Sequence, residues 1–191
     1  MNLLAHAVLA GDEDGRIVGG LVADLVKGPV PEELPRSIGE GIRVHRRIDV
    51  FTDAHPVTAR SRNRLRGRWG RYSGILTDVA YDYCLVREWA RYRKDSLGEF
   101  VGRVYRLLEG SMPVLPAGLA RWARVMIGED WLTSYGRWEG VELALRRIST
   151  RFKRPVDLAG ATGDLARAER ELVGDFEEFF PEVARHVGLV Y

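Results

Sequence analysis

The chain has 191 residues, of which 46% are hydrophobic and 29% charged, and its formal net charge is only +2 at pH 7, a balance that suits one globular core and does not by itself imply a polyanionic partner. No apolar run nears the roughly 20 residues of a membrane helix and no leader pattern opens the chain, so no membrane association and a cytoplasmic location are expected. The single cysteine excludes an internal disulfide framework and a thiolate metal cage, leaving histidine and carboxylate as the means of building any metal site.

Turn-forming clusters divide the chain into segments long enough for helices, and the expectation is an all-α, single-domain helical bundle covering residues 1–191. Residues 1–10 read as a first helix, broken by Gly11-Asp-Glu-Asp-Gly15. Residues 16–26 follow as a second, closed by Gly28 and Pro29. After a loop at 31–35, Ser37 is in position to cap a helix to about Phe51, with Glu40 three residues on. Residues 58–69 form a very basic candidate helix, and residues 75–91 another after Gly70 and Gly74. Asp95 or Ser96 caps a helix to Leu108, and residues 116–127, 130–135 and 139–152 are further helical stretches. Asp164 caps a last long helix that ends before Pro181, with Leu165, Leu172, Phe176, Phe179 and Phe180 on its apolar face.

Several of these helices carry an acid or a histidine on the stripe that should be apolar. Ile75, Asp78, Asp82, Leu85 and Trp89 repeat at spacings of three and four, as do Ile38, Ile42, His45, Asp49 and Thr52. Leu3, His6, Ala10 and Ile17, Leu21, Asp24 do so more weakly. An isolated ionised carboxylate in an apolar setting is very unfavourable, so such groups neutralise, pair or coordinate a cation. Residues four apart on a helix present two groups to one point, which makes His45 with Asp49, and Asp78 with Asp82, natural ligand pairs. His6 and Asp24 would complete a mixed shell for one or two cations, with manganese, magnesium, iron or zinc as candidates. Each residue alone has a structural alternative: a satisfied core histidine, an Asp24 that closes its turn, an Asp49 paired with Arg46 or Arg47.

Nearby Lys27, Arg43, Arg46 and Arg47 are cations of the kind that steady phosphoryl oxygens, and together with a metal-activated water they suggest phosphoester hydrolysis. Arg60, Arg62, Arg64, Arg66, Arg68 and Arg71 fall within twelve positions. Such a stretch can grip nucleic acid or an acidic protein, or can simply be a solvated helix.

Met1-Asn-Leu-Leu-Ala-His6, Gly20-Leu-Val-Ala-Asp24-Leu-Val-Lys27-Gly28, Asp78-Val-Ala-Tyr-Asp82 and, most specifically, His45-Arg-Arg-Ile-Asp49 through Thr52-Asp53 resemble the acyl carrier protein phosphodiesterases. Asp130-Trp-Leu-Thr-Ser-Tyr135 and Phe176-Glu-Glu-Phe179-Phe180-Pro181 resemble later blocks of that family. The resemblance implies a divergent relative of the HD phosphohydrolases that needs a divalent cation, typically manganese, and removes 4′-phosphopantetheine from a serine of holo acyl carrier protein. It puts His6, Asp24, His45, Asp49, Asp78 and Asp82 at positions that match the family's acids and histidines, the candidate metal ligands. For catalysis the expected residues are Asp24, Asp49, Asp82, Arg46 and Lys27, with one of Asp49, Asp78 or Asp82 accepting a proton from water and Arg46 and Lys27 steadying the phosphoryl oxygens. Tyr83 and Val8 stand where family members often have histidine. Two rival readings remain open at this point. One is a metallophosphohydrolase acting on a nucleotide or another small phosphodiester. The other is a non-enzymatic binder that uses the arginine stretch for RNA or protein, although nucleic acid is the less expected partner. Oligomeric state is not indicated.

Overall fold

The computed structural model describes residues 1–189, which form twelve α-helical segments joined by short turns and contain no strand. Local signals explain several of the helix starts. Helix α1 spans Leu3–Leu9 and α2 spans Asp14–Val22, where Glu13 accepts hydrogen bonds from the Gly15 and Arg16 amides as its cap. Helix α3 spans Arg36–Ala54 and begins on Pro35, whose fixed backbone suits a helix entry. Ser37 therefore lies inside the helix rather than capping it, and Glu40 pairs with Arg36 at 3.1 Å.

Helix α4, Pro56–Trp69, starts two residues earlier than the sequence suggests. The His55 imidazole caps it by accepting the Val57 amide, so α3 and α4 are separated by a single residue. The stretch read as one helix over 75–91 is two, α5 at Ser73–Arg87 and α6 at Trp89–Tyr92, interrupted at Glu88. Helix α7, Leu97–Ser111, opens with a reciprocal Ser96–Glu99 capping box. Helices α8 (Ala117–Gly128), α9 (Trp131–Ser134) and α10 (Trp138–Ser149) follow. Asp164 is not a cap. It lies within α11, Thr162–Arg167, and its carboxylate takes the Trp69 indole N–H at 2.9 Å. The last helix, α12, spans Glu169–His186 and runs through Pro181 instead of ending before it.

Helices α2 and α3 pack against each other most intimately, and glycine makes this possible. A Cβ on Gly19 would lie 2.1 Å from the Ile38 carbonyl oxygen, and one on Gly41 would lie 2.2 Å from that of Arg16. Helix α1, buried along its whole length, lies against α2 and α5. Helix α12 packs on α4 and α5 through Phe176, Phe179 and Phe180, all fully buried. The buried apolar residues from Met1 to Ala184 form one continuous cluster.

The arginine stretch is not an open basic face. Buried Asp175 accepts from Arg60 Nε at 2.7 Å, Arg64 Nε at 3.0 Å and Ser61 Oγ at 2.7 Å. Arg62 pairs with Asp53 at 2.6 Å, and Arg68 with Asp164 at 3.2 Å. Most of this charge is thus neutralised within the protein, Arg60 and Arg64 tying α4 to α12, Arg62 to α3 and Arg68 to α11. Among the described residues, no helix is long and apolar enough to cross a membrane.

Candidate metal centre

Three elements bring the candidate ligands together. Helix α1 supplies His6, α3 supplies His45 and Asp49 one turn apart, and a short turn of 3-10 helix, Ala23–Leu25, supplies Asp24 at the exit of α2. Both imidazoles are buried, and they stack with ring centroids 3.6 Å apart and planes inclined by 15°. Asp49 serves both: Oδ1 lies 3.1 Å from His6 Nε2 and Oδ2 lies 3.1 Å from His45 Nε2. Asp24, whose side chain is 56% exposed, reaches His45 Nε2 from the solvent side at 3.3 Å.

The orientation of His45 is fixed from behind. Its Nδ1 donates to the Gly20 carbonyl oxygen at 2.7 Å, which presents Nε2 to the two carboxylates. This is the arrangement by which a backbone acceptor sets the tautomer of a metal-binding imidazole. His6 has no such partner. Both its ring nitrogens are buried without an aligned hydrogen bond, although Nε2 is in contact with Asp49. Leaving a buried polar atom unsatisfied costs about 1–3 kcal/mol, so the imidazole is short of a partner that the protein itself does not supply.

A divalent cation fits that deficit. Donor atoms at about 2.1 Å from one cation, at roughly right angles, stand about 3 Å apart. The observed separations of 3.1, 3.1 and 3.3 Å agree. One ligand atom each from His6, His45 and Asp49 lie within 4.8 Å of one another. Two nitrogens and one or two carboxylate oxygens form a borderline set that suits manganese, iron or zinc better than calcium.

The electrostatics of the ion-free cluster point the same way. Burial alone would lower the His45 pKa, but Asp24 and Asp49 outweigh it and raise the group to about 9. Burial, with the charge of His45 beside it, lowers His6 to about 4. Burial pushes Asp49 up, yet the two imidazoles hold it well below the usual carboxylate range. Asp24 is lowered chiefly by its contact with His45. His45 is thus favoured in its charged form and His6 in its neutral form, and a cation entering among these groups would compete with the proton on His45.

The remaining candidates are placed differently. Asp78, its side chain 30% exposed, lies 3.0 Å from the Met1 amino group, which is also 4.0 Å from Asp49. Asp78 is thus joined to the cluster through an ammonium. Burial raises its pKa, and that ammonium offsets part of the rise. Asp82 is fully buried, and its two oxygens accept the Leu4 and Ala5 amides at 2.8 and 3.0 Å, so it satisfies the N-terminus of α1. Arg46 donates to the Val26 carbonyl at 2.9 Å and so anchors the turn that carries Asp24. Exposed Lys27 lines a groove with Leu25, Val26 and Pro31. Two participants were not legible in the sequence: the Gly20 carbonyl, a backbone atom, and a cleft beside Asp24 formed by Asn2, Leu21, Trp122, Trp131, Tyr135 and Arg147, which lie far apart along the chain.

Residues 1–183 match the family model described as acyl carrier protein phosphodiesterase. The chain is 32% identical over 186 residues to the acyl carrier protein phosphodiesterase of Klebsiella pneumoniae (strain 342), covering 97% of this chain and 96% of that relative. It is 31% identical to the Yersinia enterocolitica protein of the same name, over 95% and 94% of the two chains. It is 32% identical to that of Salmonella paratyphi A, over 96% and 95%. No solved structure matches the chain.

Proposed function

The chain belongs to the acyl carrier protein phosphodiesterase family, a family of phosphoric diester hydrolases, and from that premise we propose that it hydrolyses the diester joining 4′-phosphopantetheine to a serine of holo acyl carrier protein. Water adds to phosphorus, the bond from phosphorus to the serine oxygen breaks, and the serine oxygen takes up a proton, leaving the apo protein and free 4′-phosphopantetheine. We assign His6, His45 and Asp49 as the residues that hold a divalent cation, with manganese the expected ion. Such an ion, when bound, supplies charge stabilisation for the phosphoryl oxygens and acidifies water.

The protein's own groups do the rest. Gly20 keeps His45 Nε2 facing the site. Asp24, the most exposed carboxylate of the cluster and held ionised by His45, is the group placed to take a proton from water. Asp78 sits beside the Met1 ammonium, which also approaches Asp49. Arg46 acts through the turn it anchors, as a positioning residue. The observation that carries the reading is His45, oriented from behind by a carbonyl and stacked on a second imidazole that shares Asp49 with it and has no aligned hydrogen bond.

The test is release of 4′-phosphopantetheine from holo acyl carrier protein, followed by mass spectrometry. Wild type should release it, and His45→Ala and Asp49→Ala should each lose at least about a hundredfold in rate. Retention of wild-type metal content and turnover by both variants would overturn the assignment. The alternative of an arginine-rich binder is disfavoured by the carboxylates that already occupy Arg60, Arg62, Arg64 and Arg68.

A further inference from the structure

The sequence offers four cations for the phosphoryl oxygens, Lys27, Arg43, Arg46 and Arg47, and the fold turns most of them away. Arg43 and Arg47 stand two residues either side of His45, a rotation of about 200° around α3. They line a groove with Arg16 and Val187 on the face of that helix opposite the cluster. Arg46 is engaged by the Val26 carbonyl, and Lys27 lines the apolar groove of Leu25 and Pro31. Asp49 and Asp78 meanwhile gather around the Met1 ammonium. A phosphodiester anion arriving among carboxylates needs a further positive group.

Arg62 on α4 is placed to supply it. Its Nη2 donates to Asp53 Oδ1 at 2.6 Å, while Nη1 makes only a 3.5 Å contact with the Asp53 carbonyl oxygen, at the outer limit of a hydrogen bond. Asp53 lies four residues beyond Asp49 on α3. On the other side, a carbon added to Gly74 would lie 3.7 Å from Arg62 Nε, and Gly74 lies four residues before Asp78 on α5. The guanidinium therefore stands between α3 and α5 about one helical turn, roughly 5.4 Å, from the two acids, within the length of an arginine side chain. Its charge is felt there: the Asp78 carboxyl, raised by burial, is held back by the Met1 ammonium and by Arg62. Arg62 keeps 21% of its side chain exposed, so an anion from solvent has access to it. Its neighbours Arg60 and Arg64 turn the other way, to Asp175.

We propose that Arg62 is a catalytic residue of the diester cleavage, its Nη1 donating to a non-bridging phosphoryl oxygen as charge collects there, with Asp53 as the positioning residue that aims it. The inference rests on the phosphodiesterase reading above, which sets the phosphate beside Asp49. A planar fork held on one side by a carboxylate keeps further donors for an oxyanion, which neither a lysine nor a neutral amide reproduces. The competing role is structural, an ion pair that merely clamps α4 to α3.

Kinetics of the whole manganese-loaded protein on holo acyl carrier protein, with calorimetric titration of inorganic phosphate, separate the two roles. Arg62→Gln keeps the bulk and removes the charge. It should lower kcat about a hundredfold and change KM by less than about twofold, because the contact strengthens in the transition state. Inorganic phosphate, whose second charge resembles that transition state, should bind this variant about tenfold more weakly than wild type. Arg62→Lys should recover about tenfold of the loss in kcat. Asp53→Asn, which breaks the same ion pair but leaves the guanidinium, should lose only about tenfold. Arg66→Ala, exposed one turn further along α4, should behave as wild type does. Manganese content and helical circular dichroism should be those of wild type in all four. Equal losses in Arg62→Gln and Asp53→Asn, or wild-type phosphate affinity in Arg62→Gln, would overturn the proposal. Phosphate binding that depends on Arg62 in a protein releasing no 4′-phosphopantetheine would uphold Arg62 as a phosphate ligand and overturn the reaction; release that is indifferent to Arg62→Gln would do the reverse.

Discussion

Asp82 shows how one buried carboxylate can serve structure at the edge of a reactive cluster. Its two oxygens meet free amides in the first turn of α1, the groups that a helix cannot satisfy internally, and so set the position of His6, the residue that follows them. Burial raises its pKa to about 7, and the two amides only moderate that rise. A value raised in the folded state means that the folded protein holds this proton more tightly than the unfolded chain does. The contribution to stability is then fully present below about pH 4 and is lost as pH rises through 7. Asp82→Asn cannot titrate. Relative to that variant, wild type should lose stability, on the order of a few kcal/mol, between pH 4.5 and pH 8. Urea denaturation at the two pH values measures the difference, and a constant difference would contradict the account. His45 carries a second expectation at this scale: His45→Ala should lower bound manganese, measured by elemental analysis, from stoichiometric to near zero with the helical circular dichroism unchanged.

The site is assembled by helix crossings, and glycines set how close those crossings are. Gly19 and Gly41 let α2 and α3 approach until backbone meets backbone, which brings Asp24 at the end of α2 to His45 on α3. Gly41→Ala forces a methyl group against the Arg16 carbonyl and should destabilise the fold by about 2–3 kcal/mol. Gly67→Ala, on α4 with nothing near its added carbon, should instead stabilise by about 0.5–1 kcal/mol. Chemical denaturation of the pair checks both signs. The same crossings explain what the sequence could and could not reveal. His6, His45 and Asp49 interrupt apolar stripes, and helical period alone put them on inward faces. Asp24 lies past the end of α2, in a 3-10 turn that departs from that period, and comes out exposed. Arg46 follows His45 by one residue, a rotation of about 100° away from the cluster, and finds a carbonyl instead. The starts of α3 and α4 depart from the sequence expectation because Pro35 and the His55 imidazole govern them locally, and α12 continues through Pro181, where the sequence suggests an end.

At the scale of the whole molecule, a cation at the cluster would join α1 to α3, two elements separated in sequence by α2 and a long connection. The unfolded chain has no such site, so any free energy of binding is added to that of folding. At a free ion concentration one hundred times its Kd the gain is about 2.7 kcal/mol. For a domain of this size each kcal/mol moves the melting midpoint by about 2–4 °C, so the metal-loaded protein should melt roughly 5–10 °C above the chelated one. The rise must grow with the logarithm of manganese concentration above Kd, since it comes from mass action rather than from a change in packing. Because Asp49 touches both imidazoles whereas Asp82 is occupied by the amides of α1, Asp49→Ala should abolish the shift and Asp82→Asn should keep it. Differential scanning calorimetry over a manganese series separates the two. A shift that persists in Asp49→Ala would place the ion elsewhere in the molecule.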